Sequence, residues 1–156
     1  MRPFPQARRL KSFALLAIVF VAVQVLNGPQ GGTFGSLLSH GFGFVVGELV
    51  FQGAFVGWTE EYLFRGSIQR VLNSRRGPRE SGRRLKTGTL VASLLFGLGH
   101  FANLGLGQSL QDTLVQVLSA FVVGLILGIY YDVKDDLAGV AWLHNIADFV
   151  PLLLSF

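Results

Sequence analysis

The chain has no cysteine and a single methionine. Without thiols it can form no disulfide, no zinc–thiolate or iron–sulfur site, and no thiol nucleophile. Charge is scarce as well. Asp, Glu, Lys and Arg make up 14% of the 156 residues, against about 25% in soluble globular domains. So few charges cannot cover a water-soluble domain of this size, and 51% apolar residues are far too many for a disordered chain. The helical zinc-protease signature HExxH is missing, and so is any internal repeat of the kind that marks secondary transporters. What remains is an integral membrane protein.

The apolar runs give its layout. Arg2, Arg8, Arg9 and Lys11 precede an uncharged stretch from Ser12 to Asn27. A basic flank before a short apolar run also fits a signal peptide, but no convincing small-x-small cleavage site comes after it, so a retained anchor is expected. A second segment runs from Leu37 to Trp58, and its helical pattern continues to Asn73 through Tyr62, Leu63, Ile68, Val71 and Leu72. A helix of that length would extend about 55 Å, against a hydrocarbon core of about 30 Å, so a break or bend is expected near Gly53–Gly57. Further apolar segments lie at Thr87–Leu106, Leu110–Tyr131 and Leu137–Phe156. The sequence therefore predicts an all-α polytopic membrane protein with about five transmembrane helices.

The basic residues orient it. With a cytoplasmic N-terminus, four Lys/Arg lie in the N-terminal flank, seven between Arg70 and Lys86, and one in DVKDD. The opposite loops, Gly28–Ser36 and Asn103–Asp112, hold none. Twelve of the thirteen basic residues thus obey the positive-inside rule. That removes the case for nucleic-acid binding by the basic loop. Trp58 and Trp142 read as interface anchors, and His40 as interfacial. The pairs Gly43–Gly47, Gly53–Gly57 and Gly124–Gly128 have the small-xxx-small spacing that lets helices approach closely.

Ionisable residues inside spans cost at least ~2.5–3.5 kcal/mol each and are functional candidates by default. Here they are Glu48, Glu60, Glu61, Arg65, His100, His144 and Asp148. Glu61 and Arg65 are one turn apart and can pair. His144 and Asp148 are also one turn apart, so Asp148 can hold the imidazole in one tautomer. On the five-span threading Glu60, His100, His144 and Asp148 fall within about 10 Å of one another in depth. They are expected to converge in an intramembrane polar cavity. A desolvated carboxylate there can act as general base towards water, and the histidines can hold that water or stabilise an oxyanion. Glu60, His100 and His144 could equally ligate zinc, a two-His-one-carboxylate set. Residue types alone do not separate the two routes.

Glu60-Glu61-Tyr62-Leu63-Phe64-Arg65 matches EExxxR, Phe96-Gly97-Leu98-Gly99-His100 matches FxxxH, and His144-Asn145-Ile146-Ala147-Asp148 matches HxxxN/D. In this order and inside apolar helices, these motifs resemble the CPBP family (Abi, CAAX-protease and bacteriocin-processing) of intramembrane endopeptidases. The resemblance spans roughly Val56 to Leu154. It implies an N-terminal anchor helix and the start of the second span over residues 1–55, and a catalytic core over 56–156 built around a polar cavity. It also implies hydrolysis of a peptide bond in a membrane-anchored or prenylated substrate, by CAAX-type, bacteriocin-leader or sorting-tail processing. By that resemblance Glu60 activates water, His100 helps hold it, His144 and Asp148 line the oxyanion side, and Glu61 and Arg65 support the motif helix. No cofactor is expected, with zinc on Glu60, His100 and His144 as the alternative. A bacterial plasma membrane is the expected setting. Asp148 stands where many relatives carry Asn, which removes an amide donor.

Two other classes of function compete. A catalytically silent membrane partner or immunity protein would bind a peptide or lipid in the same pocket, but would not need a general base. A small carrier would relay protons through Glu60, Glu61 and Asp148, and would be expected to show repeats.

Overall fold

The computed structural model describes residues 6–27, 41–75 and 85–154. All regular structure among these residues is helical. The elements are α1 (Gln6–Asn27), a helical run α2 (Phe42–Ser74), α3 (Thr87–Leu106), α4 (Leu110–Lys134) and α5 (Leu137–Leu154). The expectations for the Gly28–Ser36 loop and His40 lie outside the described residues, as does most of the basic loop beyond Arg75. Among the described residues, α2, α3 and α4 are each long and apolar enough to cross a membrane, whereas the apolar stretch of α1, Leu10–Val23, is shorter.

The break expected in the second segment takes another form. Helical residues run without interruption from Phe42 to Ser74, but Phe51–Phe55 and Tyr62–Gln69 are π-helical. In the first of these, the Val56 amide reaches back five residues to Phe51 O. The wider turn shifts the register of the downstream residues without ending the helix. Hydroxyls bond the nearby carbonyls: Thr59 Oγ1 donates to Val56 O at 2.9 Å, and Ser67 Oγ to Tyr62 O at 3.1 Å.

The described chain divides into two compact units, residues 1–61 with 138–156, and residues 62–137. In the second unit, polar side chains share the interior with apolar ones such as Ala92, Phe96 and Leu127. The apolar residues Tyr62, Leu63 and Val71 are exposed, while Arg65, Gln69, Thr89, Ser93 and Thr113 are fully buried. In lipid an apolar side chain gains nothing by facing inward, so polar side chains hold the interior together by hydrogen bonds.

Those bonds form a ladder. Arg65 Nη2 donates to Gly124 O at 2.9 Å, Gln69 Nε2 to Gly128 O at 2.9 Å, and Asn73 Nδ2 to Asp132 Oδ1 at 3.0 Å. Each step advances four residues on both helices, so α2 and α4 run parallel along it. Asp132, expected in a loop, belongs to the last turn of α4 and also accepts from Lys86 Nζ at 3.2 Å and from Thr89 Oγ1. Ser109 caps the start of α4 by accepting the Asp112 amide at 3.1 Å. Asp135, with φ of 50°, ends it.

The Gly124–Gly128 pair gives the close approach anticipated for it, because its carbonyls can be reached only without a side chain between. A Cβ on Gly128 would lie 2.7 Å from Thr89 Cγ2 and 2.9 Å from Gln69 Oε1. Gly128→Ala should therefore destabilise the protein by about 1–3 kcal/mol, read from unfolding in mixed micelles. A variant as stable as wild type would mean that the ladder tolerates being spread. Gly43 and Gly47, by contrast, have no described atom within 4 Å of a built Cβ.

In the first unit, α5 packs on the N-terminal half of α2. Phe149 covers Gly53, and a Cβ there would meet its ring at 3.1 Å. The Asn145 side chain bonds the Gly57 amide at 2.7 Å. Trp58 and Trp142 meet edge to face with centroids 6.5 Å apart. Proceeding along α2, contacts with α5 step backwards, so the two helices are antiparallel here.

Candidate active site

Four of the six candidate residues meet in the first unit. Glu60 and Glu61 end its portion of α2, and His144 and Asp148 lie one turn apart on α5. His144 is at the centre. Its Nδ1 is 2.7 Å from Glu61 Oε1, its Nε2 is 3.2 Å from Asp148 Oδ2, and the same Nε2 is 3.7 Å from Glu60 Oε2. Three carboxylates thus surround one imidazole.

Access separates them. The Glu61 side chain is 0% exposed and that of His144 5%, while Glu60 keeps 38% and Asp148 33%. Glu61 therefore faces the buried side of the ring, and Glu60 and Asp148 flank its open side. An ionised carboxylate only accepts, so the short bond to Glu61 puts a proton on Nδ1. Sequence reasoning gave the tautomer to Asp148. The geometry gives the shorter and fully buried bond to Glu61, and leaves Asp148 sharing a proton with Nε2.

Arg65 and His100 belong to the second unit. Arg65 is fully buried, bonds Gly124 O, and lies over the Phe96 ring with its guanidinium carbon 5.0 Å from the centroid. That is a cation–π contact added to a hydrogen bond. His100 lies within α3, at the switch from α to 3₁₀ geometry. Its Nδ1 donates to Phe96 O at 2.9 Å, and its ring stacks edge-on against Phe96 at 5.1 Å. A carbonyl cannot donate, so Nδ1 carries the hydrogen and Nε2 of the neutral ring is the acceptor. Phe96 thus positions both Arg65 and His100. FxxxH carries this in its spacing, because one turn of helix stacks the aromatic ring under the imidazole.

Glu48 is half-buried in α2, and its side chain makes no hydrogen bond or ion pair among the described residues. Sequence reasoning passed over Asn145, Gln69, Asn73 and Asp132. For Gln69 and Asn73 a signal existed: with Glu61 and Arg65 they recur every fourth residue, a polar stripe through an otherwise apolar helix. Among the described residues, no group of three or more His, Asp or Glu is arranged to hold a metal ion.

No curated protein and no solved structure shows significant similarity to the chain. A family model does match, that of the type II CAAX prenyl endopeptidase Rce1-like family, over residues 42–150. The match covers more than two-thirds of the chain and takes in all three motifs. With its apolar helices and its clustered glutamates and histidine, the chain is an integral membrane protein and belongs to the Rce1-like family of type II CAAX prenyl endopeptidases.

Proposed function

We propose that this protein is an intramembrane endopeptidase that uses Glu60 as base and works without a metal ion. The observation that carries this is His144, held on its buried side by Glu61 and open on its other side between Glu60 and Asp148. A base and a proton donor then stand side by side at an accessible edge.

The Glu60 carboxylate takes a proton from water, and the hydroxide adds to the scissile carbonyl carbon. Negative charge on the carbonyl oxygen meets the proton held between His144 Nε2 and Asp148. The carbon–nitrogen bond then breaks, and the proton on Glu60 passes to the leaving amine. By the motif resemblance alone, His100 is proposed as a residue that helps hold water. Glu61 and Arg65 act through others, the first by fixing the ring and the second by tying its helix to Gly124 O and Phe96. Five spans remain the architecture we favour, with an anchor helix and the start of the second span over residues 1–55 and the core over 56–156. The substrate would be a membrane-anchored or prenylated peptide or protein.

The test is cleavage of a panel of membrane-anchored peptides, prenylated and unprenylated, by the protein in lipid, with products mapped by mass. Activity is expected to survive a strong chelator, in protein without stoichiometric metal. Bound zinc, with cleavage lost on chelation and restored on adding zinc back, would replace the glutamate-only mechanism with a metal-assisted one.

A further inference from the structure

We propose that Asn145 is a positioning residue: its side-chain oxygen holds the Gly57 amide and so sets where Glu60 and Glu61 stand against His144. The inference rests on the reading of Glu60 and His144 as the reacting pair.

An amide N–H only donates, so the 2.7 Å bond from Gly57 N fixes which way the Asn145 carboxamide faces. Oδ1 is used, while Nδ2 has no partner among the described residues although Asn145 is 2% exposed. A buried carboxamide that uses only its oxygen is there for that oxygen. Gly57 follows Val56, whose amide closes the π-helical turn by reaching back to Phe51 O.

Glycine is required at the contact. A Cβ at position 57 would run into Asn145 Oδ1 and would lie 2.5 Å from Ala141 O. One turn further along α2, Glu61 Oε1 bonds the ring of His144, the neighbour of Asn145 in sequence. Two bonds, Gly57 to Asn145 and Glu61 to His144, therefore pin consecutive turns of α2 to the same turn of α5. Together they fix both rotation and height of the segment that carries the glutamates. The Glu60–His144 separation of 3.7 Å is too long to be held by a bond of its own. It depends on this pinning.

The experiment uses the full chain in lipid, with Asn145→Ala, Asn145→Asp, Gly57→Ala and the double variant Gly57→Ala/Asn145→Ala. Cleavage kinetics are read beside the side-chain ¹⁵N resonances of His144. Asn145→Ala should lower kcat by about tenfold to a hundredfold with KM little changed, as small misplacements of reacting groups do. It should also shift the His144 Nδ1 resonance. Asn145→Asp keeps the acceptor oxygen and should recover most of the rate. The double variant should be no slower than its worse parent, because both changes break one contact. If Asn145→Ala does not fold, Asn145→Leu, which fills the site but carries no acceptor, takes its place.

Wild-type kcat in Asn145→Ala, or an unmoved His144 resonance, would overturn the proposal. So would an Asn145→Asp variant as slow as the alanine one, since that would make Nδ2 the working atom. A protein that cleaves nothing, yet whose His144 resonance moves in Asn145→Ala, would uphold the positioning and sink the endopeptidase reading instead.

Discussion

Glu60→Gln is expected to lower cleavage by about 10²–10⁴-fold, the range for removing a positioned general base. The substitution keeps the size and shape of the side chain and removes only its capacity to accept a proton from water. Glu60 also suits the experiment structurally. More than a third of its side chain is exposed, and its nearest oxygen is 3.7 Å from His144 Nε2, so the short bond that locks the ring belongs to Glu61. The loss should appear in kcat, with KM changed little and the unfolding midpoint close to that of wild type. Equal cleavage by both proteins would remove Glu60 as the base. A rise in KM at unchanged kcat would recast it as a substrate-binding group.

What could be read from the sequence was whatever lies within a single helix. The His144–Asp148 spacing of one turn becomes a contact of 3.2 Å, and the Phe96–His100 spacing becomes both a stacked pair and a hydrogen bond. Contacts between helices were not legible, because they depend on how each helix is rotated about its own axis. Spacing could match Glu61 only to Arg65 on its own helix. The Glu61 bond to His144 joins residues 83 apart, and the α2–α4 ladder joins residues 59 apart. Spacing could not say which face of α2 turns inward, and of the apolar positions that carried its helical pattern, Tyr62, Leu63 and Val71 are exposed.

The apolar runs did mark the helices, but their ends and irregularities obeyed other forces. DVKDD looked like a loop because charge is costly in a span. Asp132 nevertheless stays in α4, because Asn73, Lys86 and Thr89 all donate to it there. The excess length of α2 suggested a break at Gly53–Gly57. The chain instead passes through a π-helical turn, and Gly57 serves as the close contact where Asn145 takes its amide. No periodicity in the sequence announces a π turn.

The two carboxylates that bond His144 should respond in opposite ways to becoming amides. In Glu61→Gln the acceptor at Nδ1 is replaced by a group that can present either an oxygen or an NH₂. The 2.7 Å bond then no longer dictates which ring nitrogen carries the proton. A catalytic imidazole left in the wrong tautomer loses up to ~10⁴-fold in rate, so a fall on the order of 10²-fold or more is expected. Glu61 is fully buried, so this loss cannot come from a missing contact with substrate. Asp148→Asn changes the open side instead. With the ring proton on Nδ1, Nε2 accepts. The NH₂ of the new carboxamide can donate to it at the 3.2 Å separation and present its second N–H towards the developing oxyanion. That variant should cleave at a rate of the same order as wild type or faster. Rates are compared as kcat in lipid, with both variants first matched to wild type in unfolding midpoint. A fast Glu61→Gln beside a dead Asp148→Asn would exchange the two roles, making Asp148 the group that orients the ring and Glu61 only a packing partner.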